Sequence, residues 1–307
     1  MDSKSKNVEF EWVKDTISRN FGNVQINHIL ELGEGFRSKA FLINDKMVFR
    51  FPKEEAGAID TEKEIKMLPF LNKQITLNIP EFIYCGKQNN GYPFVGYLLV
   101  QGEPMNERQF HSLSMEIKTR ICDQIAEFID QISSFNVKRA RELTVHEINF
   151  YQEFLETFRE VQEKCFPLIN KELQDYISSR FTSYLENKNN FVYTPKLLHS
   201  DLSLDHLMFD SKKEELTGII DFGDMRIGDP DYEYVYLLEE CGEEITRYVM
   251  ERRNEENIQE KLDKISFFLT ANNVQLFLEG LKSNNDELKE EAITLIEYEL
   301  ENYETED

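Results

Sequence analysis

The sequence predicts an α+β protein of two unequal lobes, a strand-rich one over residues 1–101 and a helical one over residues 102–307. Three observations predict it. Short alternating apolar segments punctuated by Gly, Asn, Asp and Pro crowd the first hundred residues. After "QGEP" the apolar spacing lengthens to that of a helix. Polar residues are then concentrated in two stretches, "LLHSDLSLDHLMFD" and "GIIDFGD", each set in strand-like sequence.

Taken in order, the strand signals are "NVQINHILEL", "AFLI", "MVFRF", "EFIYCG" and "PFVGYLLV", with turns at "INDK" and "NNGY". One helix is expected among them, in "DTEKEIKMLPFL", with Ile65, Leu68 and Leu71 as its apolar stripe and Asp60 or Thr61 as its cap. In the second lobe Ile117, Ile121, Ile125, Phe128, Ile129 and Ile132 share one helical face. Further helices run to about residue 187, short strands follow around "KLLHSD", "HLMFD" and "LTGIIDF", and helices return to the end. The last segment holds ten acidic residues, yet Leu288, Ala292, Leu295, Ile296, Leu300 and Tyr303 keep helical spacing, so the acid reads as a solvated helix face.

The 307 residues suffice for two domains, and 40% hydrophobic with 30% charged residues exclude collagen-like and disordered classes. Apolar runs such as residues 94–100 fall short of the ~20 needed to span a membrane, and "MDSKSKNVEFEW" has no signal-peptide core, so a cytoplasmic protein is expected. Cys85, Cys122, Cys165 and Cys241 lack metal or disulfide spacing and read as buried free thiols. Against 58 acidic residues stand 35 basic ones, a net charge of −23 that repels nucleic acid and anionic membranes. No nucleic-acid or membrane partner is expected, but a small cationic or neutral one is, and the expected state is a monomer.

Asp201 precedes His206 by five positions, the interval between base and metal ligand in the kinase loop H-R-D-x-x-x-x-N. Fifteen residues beyond His206, Asp221 opens "DFG" after an apolar strand, as a metal-binding aspartate does in kinases. Phosphoryl transfer needs one carboxylate beside the acceptor hydroxyl and others gripping Mg²⁺. Asp201 suits the first role, Asp221 and His206 the second. Kinases use Asn where His206 stands, so an imidazole that only hydrogen-bonds a metal ligand remains an alternative. His199 reads as a scaffold of the loop.

In "LGEGFRSKA", Gly33, Gly35 and Ser38 form a turn that could cover phosphate, with an ordinary hairpin as an equal alternative. Strand alternation sets Arg50 beside Val48, where kinases carry their phosphate-binding lysine, and sets Lys53 on the other parity. Glu64 is the candidate ion-pair partner of Arg50, with Glu62 and Lys63 expected to face solvent.

On "LGEGFRS", "VFRFPK", "NIPEFIYCGK", "PFVGY" with "VQG", "HSDLSLDH", "GIIDFGDMRIGDPDYEYVYLLEECGE" and "FLEGL", nearly the whole chain resembles the aminoglycoside phosphotransferases, antibiotic kinases, and among them the 2''-phosphotransferases. The resemblance implies a eukaryotic protein kinase-like fold with the nucleotide between lobes, Mg²⁺, and an aminoglycoside in an acidic cleft. It implies Asp201 as catalytic aspartate, His206 and Asp221 as metal ligands, Arg50 with Glu64 as the phosphate-orienting pair, and Asp224, Glu239, Glu240 and Glu243 around drug ammonium groups. Tyr97 would wall the base pocket and Leu98 and Val100 would offer backbone groups to the base. Relatives with Tyr there prefer GTP, so GTP is the expected donor, with ATP as alternative. Ser200, Leu204, Met225 and Arg226 depart from the family's commonest residues, and Arg226 beside an acidic cleft is unfavourable for a polycation. Asp229, before Pro230, reads as a helix N-cap. The rival readings are a kinase of another small cationic or sugar metabolite, and a silent binding protein.

Overall fold

Strand alternation in the first hundred residues gives their sheet two different faces. A computed structural model describes residues 3–303; residues 1–2 and 304–307, at the outer ends of the two expected lobes, lie outside it, as do the side chains of residues 3–7 and of Tyr303. Strands β1 (Ile29–Glu34), β2 (Ser38–Ile43), β3 (Met47–Pro52), β4 (Phe82–Lys87) and β5 (Pro93–Leu98) form an antiparallel sheet in the order β1-β2-β3-β5-β4. The odd-numbered Phe41, Ile43, Phe49 and Phe51 bury one face, with Phe94, against Val13 and Ile17 of helix α1 (Ser3–Asn20). That helix is absent from the sequence-based expectation. Leu42, Val48, Val95 and Tyr97 turn to the other face, where Ile65 and Phe82 join them.

Three residues, 44–46, connect β2 to β3 at the "INDK" turn, and Asn44 and Asp45 among them take φ of 53° and 58°, values that asparagine and aspartate tolerate best among residues with a Cβ. Helix α2 spans Glu55–Leu71 and starts six residues before Thr61, where a cap at Asp60 would begin it. Its extra turn is made by tertiary packing rather than a cap, since Ala58 and Thr61 are buried and Glu54 makes no capping bond. Glu62 is exposed as expected. Lys63 is not, because its ammonium turns inward to Asp60 and the carbonyl of Gly223.

Residues 99–102 cross to the second part of the chain. There the helices are α3 (Glu107–Ser112), α4 (Met115–Ser133), α5 (Val137–Glu142), α6 (Phe150–Lys164), α7 (Lys171–Glu186), α8 (Val235–Cys241), α9 (Glu243–Arg252), α10 (Ile258–Lys282) and α11 (Asp286–Tyr303). The expected stripe of α4 is its buried face, with Ile121, Ile125, Phe128, Ile129 and Ile132 at 2% exposure or less. Short strands β6 (Glu103–Pro104), β8 (Leu207–Asp210) and β9 (Glu215–Ile219) make one small sheet, β7 (Lys196–Leu198) and β10 (Arg226–Gly228) another. A parallel bridge from Asn78 to Gly218 ties the first part to the second.

Along α11, Ala292 and Ile296 are buried and most of the acid faces water. Glu299 is the exception: it accepts hydrogen bonds from Tyr176 at 3.1 Å, Thr270 at 2.6 Å and Asn273 at 2.5 Å. Cys122, Cys165 and Cys241 are buried free thiols, whereas Cys85 is exposed. Among the described residues no helix is long and apolar enough to cross a membrane.

Candidate active site

Pairing of β7 with β10 at Leu198 and Arg226, and of β8 with β9 at Leu207 and Ile219, forces loops 199–206 and 220–225 to emerge side by side. This adjacency brings Asp201, His206 and Asp221 together although twenty residues separate the first from the last. The imidazole of His206 is fixed at Nδ1, which lies 2.9 Å from the Asp201 carbonyl oxygen and 3.0 Å from Ser203 Oγ. A proton on Nδ1, given to that carbonyl, leaves Nε2 as the lone-pair nitrogen, 3.9 Å from Asp221 Oδ2. Two donors at that separation can reach one cation, since ligands to Mg²⁺ stand about 2.1 Å from the metal. Among the described residues no three His, Cys, Asp or Glu side chains form a ready-made metal cage. A pair suits Mg²⁺, which usually takes one or two protein ligands and fills its shell with substrate phosphates and water.

Asp201 is pushed up to about 6, chiefly by burial and also by Asp224, Asp221 and Asp205, with His206 opposing. Burial works against a charge on His206, but Asp201, Asp205 and Asp221 outweigh it and hold the imidazolium form above its ordinary range. Asp221 goes the other way: burial opposes its charge, yet Arg50 and the two histidines hold it below the usual carboxylate range. Asp221 also takes φ of 60° and its side chain accepts from Gly223 N–H, which bends the backbone sharply at this carboxylate.

From the sheet, Arg50 reaches down on the face shared with Val48. Its Nη1 donates to Asp221 Oδ1 at 3.1 Å, its Nη2 pairs with Glu64, which is 1% exposed, and its Nε is buried without a hydrogen bond. Arg50, Glu64 and Ser38 line the same cleft of about 630 Å³ as Asp201, His206, Asp221 and Asp224. Ser38 closes the turn by accepting from Gly35 N–H at 3.0 Å, so the glycine turn is both a hairpin and a wall of the cleft. Lys53 pairs instead with Glu34 at 2.9 Å, away from that wall. Tyr97 is 8% exposed, opposite Val48 and with its ring 5.6 Å from Phe82. Beyond it Leu98 is exposed, Val100 is buried, and Leu99 N–H between them is spent on the Lys46 carbonyl.

The expected acidic residues divide. Asp224 lines the cleft, half-exposed, and Asp205 and Tyr236 line it too. Glu240 gives one carboxylate oxygen to Leu204 N–H at 2.6 Å and so braces the loop that carries Asp201. Glu239 is exposed on α8, and Glu243 at the start of α9 pairs with Arg247 at 2.6 Å; neither lines the cleft walls described above. Arg226 sets its guanidinium 5.2 Å from the Tyr232 ring and donates from Nε to the Asp224 carbonyl at 3.3 Å, and although burial opposes its charge, Tyr232, Asp224 and Glu153 favour it.

Sequence reasoning missed Glu233. Buried at 2% exposure, it accepts from His199 N–H at 2.9 Å and Ser200 N–H at 3.4 Å, and burial raises it to about 7 against those bonds. A lone glutamate in the aromatic run "DYEYVY" was the available signal. His199 is the expected scaffold: burial lowers it to about 4, and its Nε2 lies 3.1 Å from the Ile220 carbonyl, linking the two loops. Asp229 caps the 3-10 turn Pro230–Tyr234 through Asp231 N–H at 3.1 Å and also pairs with Lys264.

Comparison with known proteins agrees with this architecture. The sequence model of the phosphotransferase enzyme family, APH, matches residues 28–263. The structure of the GDP and kanamycin complex of APH(2'')-IIIa superposes with a TM-score of 0.92 at 41% identity, covering 94% of this chain and 98% of that one. The GDP complex of wild-type aminoglycoside 2'-phosphotransferase-IIIa does so with the same score and identity over 95% and 98%. A gentamicin complex of APH(2'')-IIa, 23% identical with a TM-score of 0.78 over 96% of each chain, shares the fold. Matches of that length and identity mean that the chain belongs to the phosphotransferase enzyme family.

Proposed function

We propose that the protein transfers the γ-phosphate of a nucleoside triphosphate, GTP in preference to ATP, to the 2''-hydroxyl of an aminoglycoside. The observation that carries this is the meeting, across one cleft, of Asp201, His206 and Asp221 with the Arg50–Glu64 pair, in a chain 41% identical to a phosphotransferase complexed with GDP and kanamycin. In this reading residues 1–101 hold the nucleotide and residues 102–307 carry the catalytic loop and the substrate cleft.

Asp201 accepts the hydroxyl proton as the acceptor oxygen attacks, and a carboxyl raised towards neutrality suits a base that must release its proton afterwards. Arg50, oriented by Glu64, faces the phosphates, and its unpaired Nε is a donor that a phosphate oxygen would satisfy. The turn of Gly33, Gly35 and Ser38 covers them. His206 Nε2 and Asp221 would hold Mg²⁺, which when bound neutralises charge on the triphosphate. Asp224 faces an ammonium group of the acceptor, with Glu239, Glu240 and Glu243 adding negative field nearby. Tyr97 walls the base pocket, and the backbone of Leu98 and Val100 binds the base. The acid of the cleft favours a polycation over a neutral sugar or a singly charged metabolite, because each added ammonium gains from the same carboxylates.

Phosphotransfer to kanamycin, choline and simple sugars, each with GTP and with ATP, tests the reading, with the product hydroxyl assigned by NMR. Kanamycin phosphorylated at 2'' with GTP is expected, together with a folded Asp201→Asn variant slower by roughly 10²–10⁴-fold. Faster turnover of choline or a sugar would replace the assignment by the metabolite kinase.

A further inference from the structure

Arg37, in the turn between β1 and β2, has no role in the reaction described above, yet it is built into the cleft. Its backbone is anchored: the Arg37 carbonyl accepts from Lys53 N–H at 2.9 Å and lies so near α2 that a Cβ on Gly57 would come within 2.5 Å of it. From there Nη1 donates to Asp60 Oδ2 at 2.6 Å on α2 and to Asp224 Oδ1 at 3.1 Å on the other side of the cleft. Arg37 is 46% and Asp224 39% exposed, so an entering ligand can reach the pair. Lys63 spans the same gap from α2 to the Gly223 carbonyl, so the two sides are joined without Arg37.

An ammonium group seated on Asp224 would meet a guanidinium already bound there. Like charges a few ångströms apart repel, and one oxygen of the carboxylate is spent. Asp60 gives the displaced guanidinium somewhere to go, since it can keep that partner while leaving Asp224. We propose that Arg37 is an internal competitor for the acceptor at Asp224, an affinity-setting residue whose bridge the polycationic substrate must break in order to seat. Breaking it also unties the β1–β2 turn from the second lobe.

The inference rests on the aminoglycoside reading, and steady-state kinetics with kanamycin and GTP separate the two. For an exposed pair the expected gain in Arg37→Ala is a KM for kanamycin roughly two- to five-fold lower, with the KM for GTP changed by less than about two-fold. Arg37→Lys should restore most of the wild-type KM, and in an Asp224→Asn background the Arg37→Ala gain should vanish. Calorimetric titration of kanamycin into Arg37→Gln supplies the same comparison without turnover. An unchanged or raised KM in Arg37→Ala, or an equal gain in the Asp224→Asn background, overturns the competitor role. A wild-type protein that leaves kanamycin unmodified overturns the aminoglycoside reading and this inference with it.

Discussion

Ser200 sits in the left-handed region, with φ of 71°, and its buried hydroxyl makes no hydrogen bond. Left-handed backbone suits Gly, which has no Cβ to clash, and Asn, which tolerates it better than most residues, so serine is strained there. Ser200→Gly should therefore raise stability by about 0.5–1 kcal/mol, the relief of strain outweighing the flexibility added to the unfolded chain, with turnover retained. Chemical denaturation checks it, and a destabilised variant would show that the hydroxyl has a hidden partner. Tyr97 makes the second prediction at this scale. Tyr97 packs beside Phe82 and Val48; if that bulk obstructs an adenine pose, Tyr97→Ala should raise the ATP/GTP ratio of kcat/KM. Because both donors are measured on one preparation, the ratio is insensitive to any loss of folded protein; a ratio that stays put would end the gatekeeper role.

At the scale of elements, α8 and the turn before it hold the loop that carries Asp201 through carboxylates that accept from backbone N–H groups: Glu233 from His199 and Ser200, Glu240 from Leu204. Removing Glu240 leaves the N–H of a nearly buried residue unpaired, so Glu240→Ala should cost about 1–3 kcal/mol of stability. It should lower kcat more than it raises the KM for the acceptor, because the loop that aims Asp201 loses its brace. If KM alone rises at unchanged stability, Glu240 binds substrate instead. The acidic spacing of "LLEECGE" was legible in the sequence. Which acid faces the cleft and which faces the backbone was not, because the choice depends on how α8 packs against a loop more than thirty residues earlier.

For the whole molecule, the buried carboxyls and the net charge act in one direction, and His199, which burial lowers to about 4, opposes them with a single group. Asp201 is raised to about 6, and Glu233 and Glu240 to about 7, in each case mainly by burial. Each binds its proton more tightly in the folded chain than in the unfolded one, so folding takes up protons and stability falls as pH rises from the ordinary carboxylate range through about 7. The net charge of −23 adds self-repulsion over the same span. Asp221 and Glu255, held below their ordinary range, lose their contribution only as pH falls further. The Tm should accordingly be higher at about pH 5.5 than at about pH 8, and added salt should narrow the difference. A Tm that is flat or rising over that interval would contradict the burial of these carboxyls.

The sequence by itself determined the two-lobed α+β character, the sheet with Arg50 on the Val48 face, the buried face of α4, and Asp201, His206 and Asp221 as one centre. These are local periodicities and short spacings, and a pleated strand or a 3.6-residue turn converts them directly into geometry. Helix α1 escaped, since its apolar positions acquire meaning only when Val13 and Ile17 meet the phenylalanine face of the sheet. So did the first turn of α2, which lacks a side-chain cap and is held by packing. The inward turn of Lys63, the bracing by Glu233 and Glu240, the stacking of Arg226 on Tyr232 and the bridge from Arg37 to Asp224 were decided by tertiary structure alone. Each joins residues tens to hundreds of positions apart or depends on which way a long side chain turns, and no spacing in the chain encodes that choice.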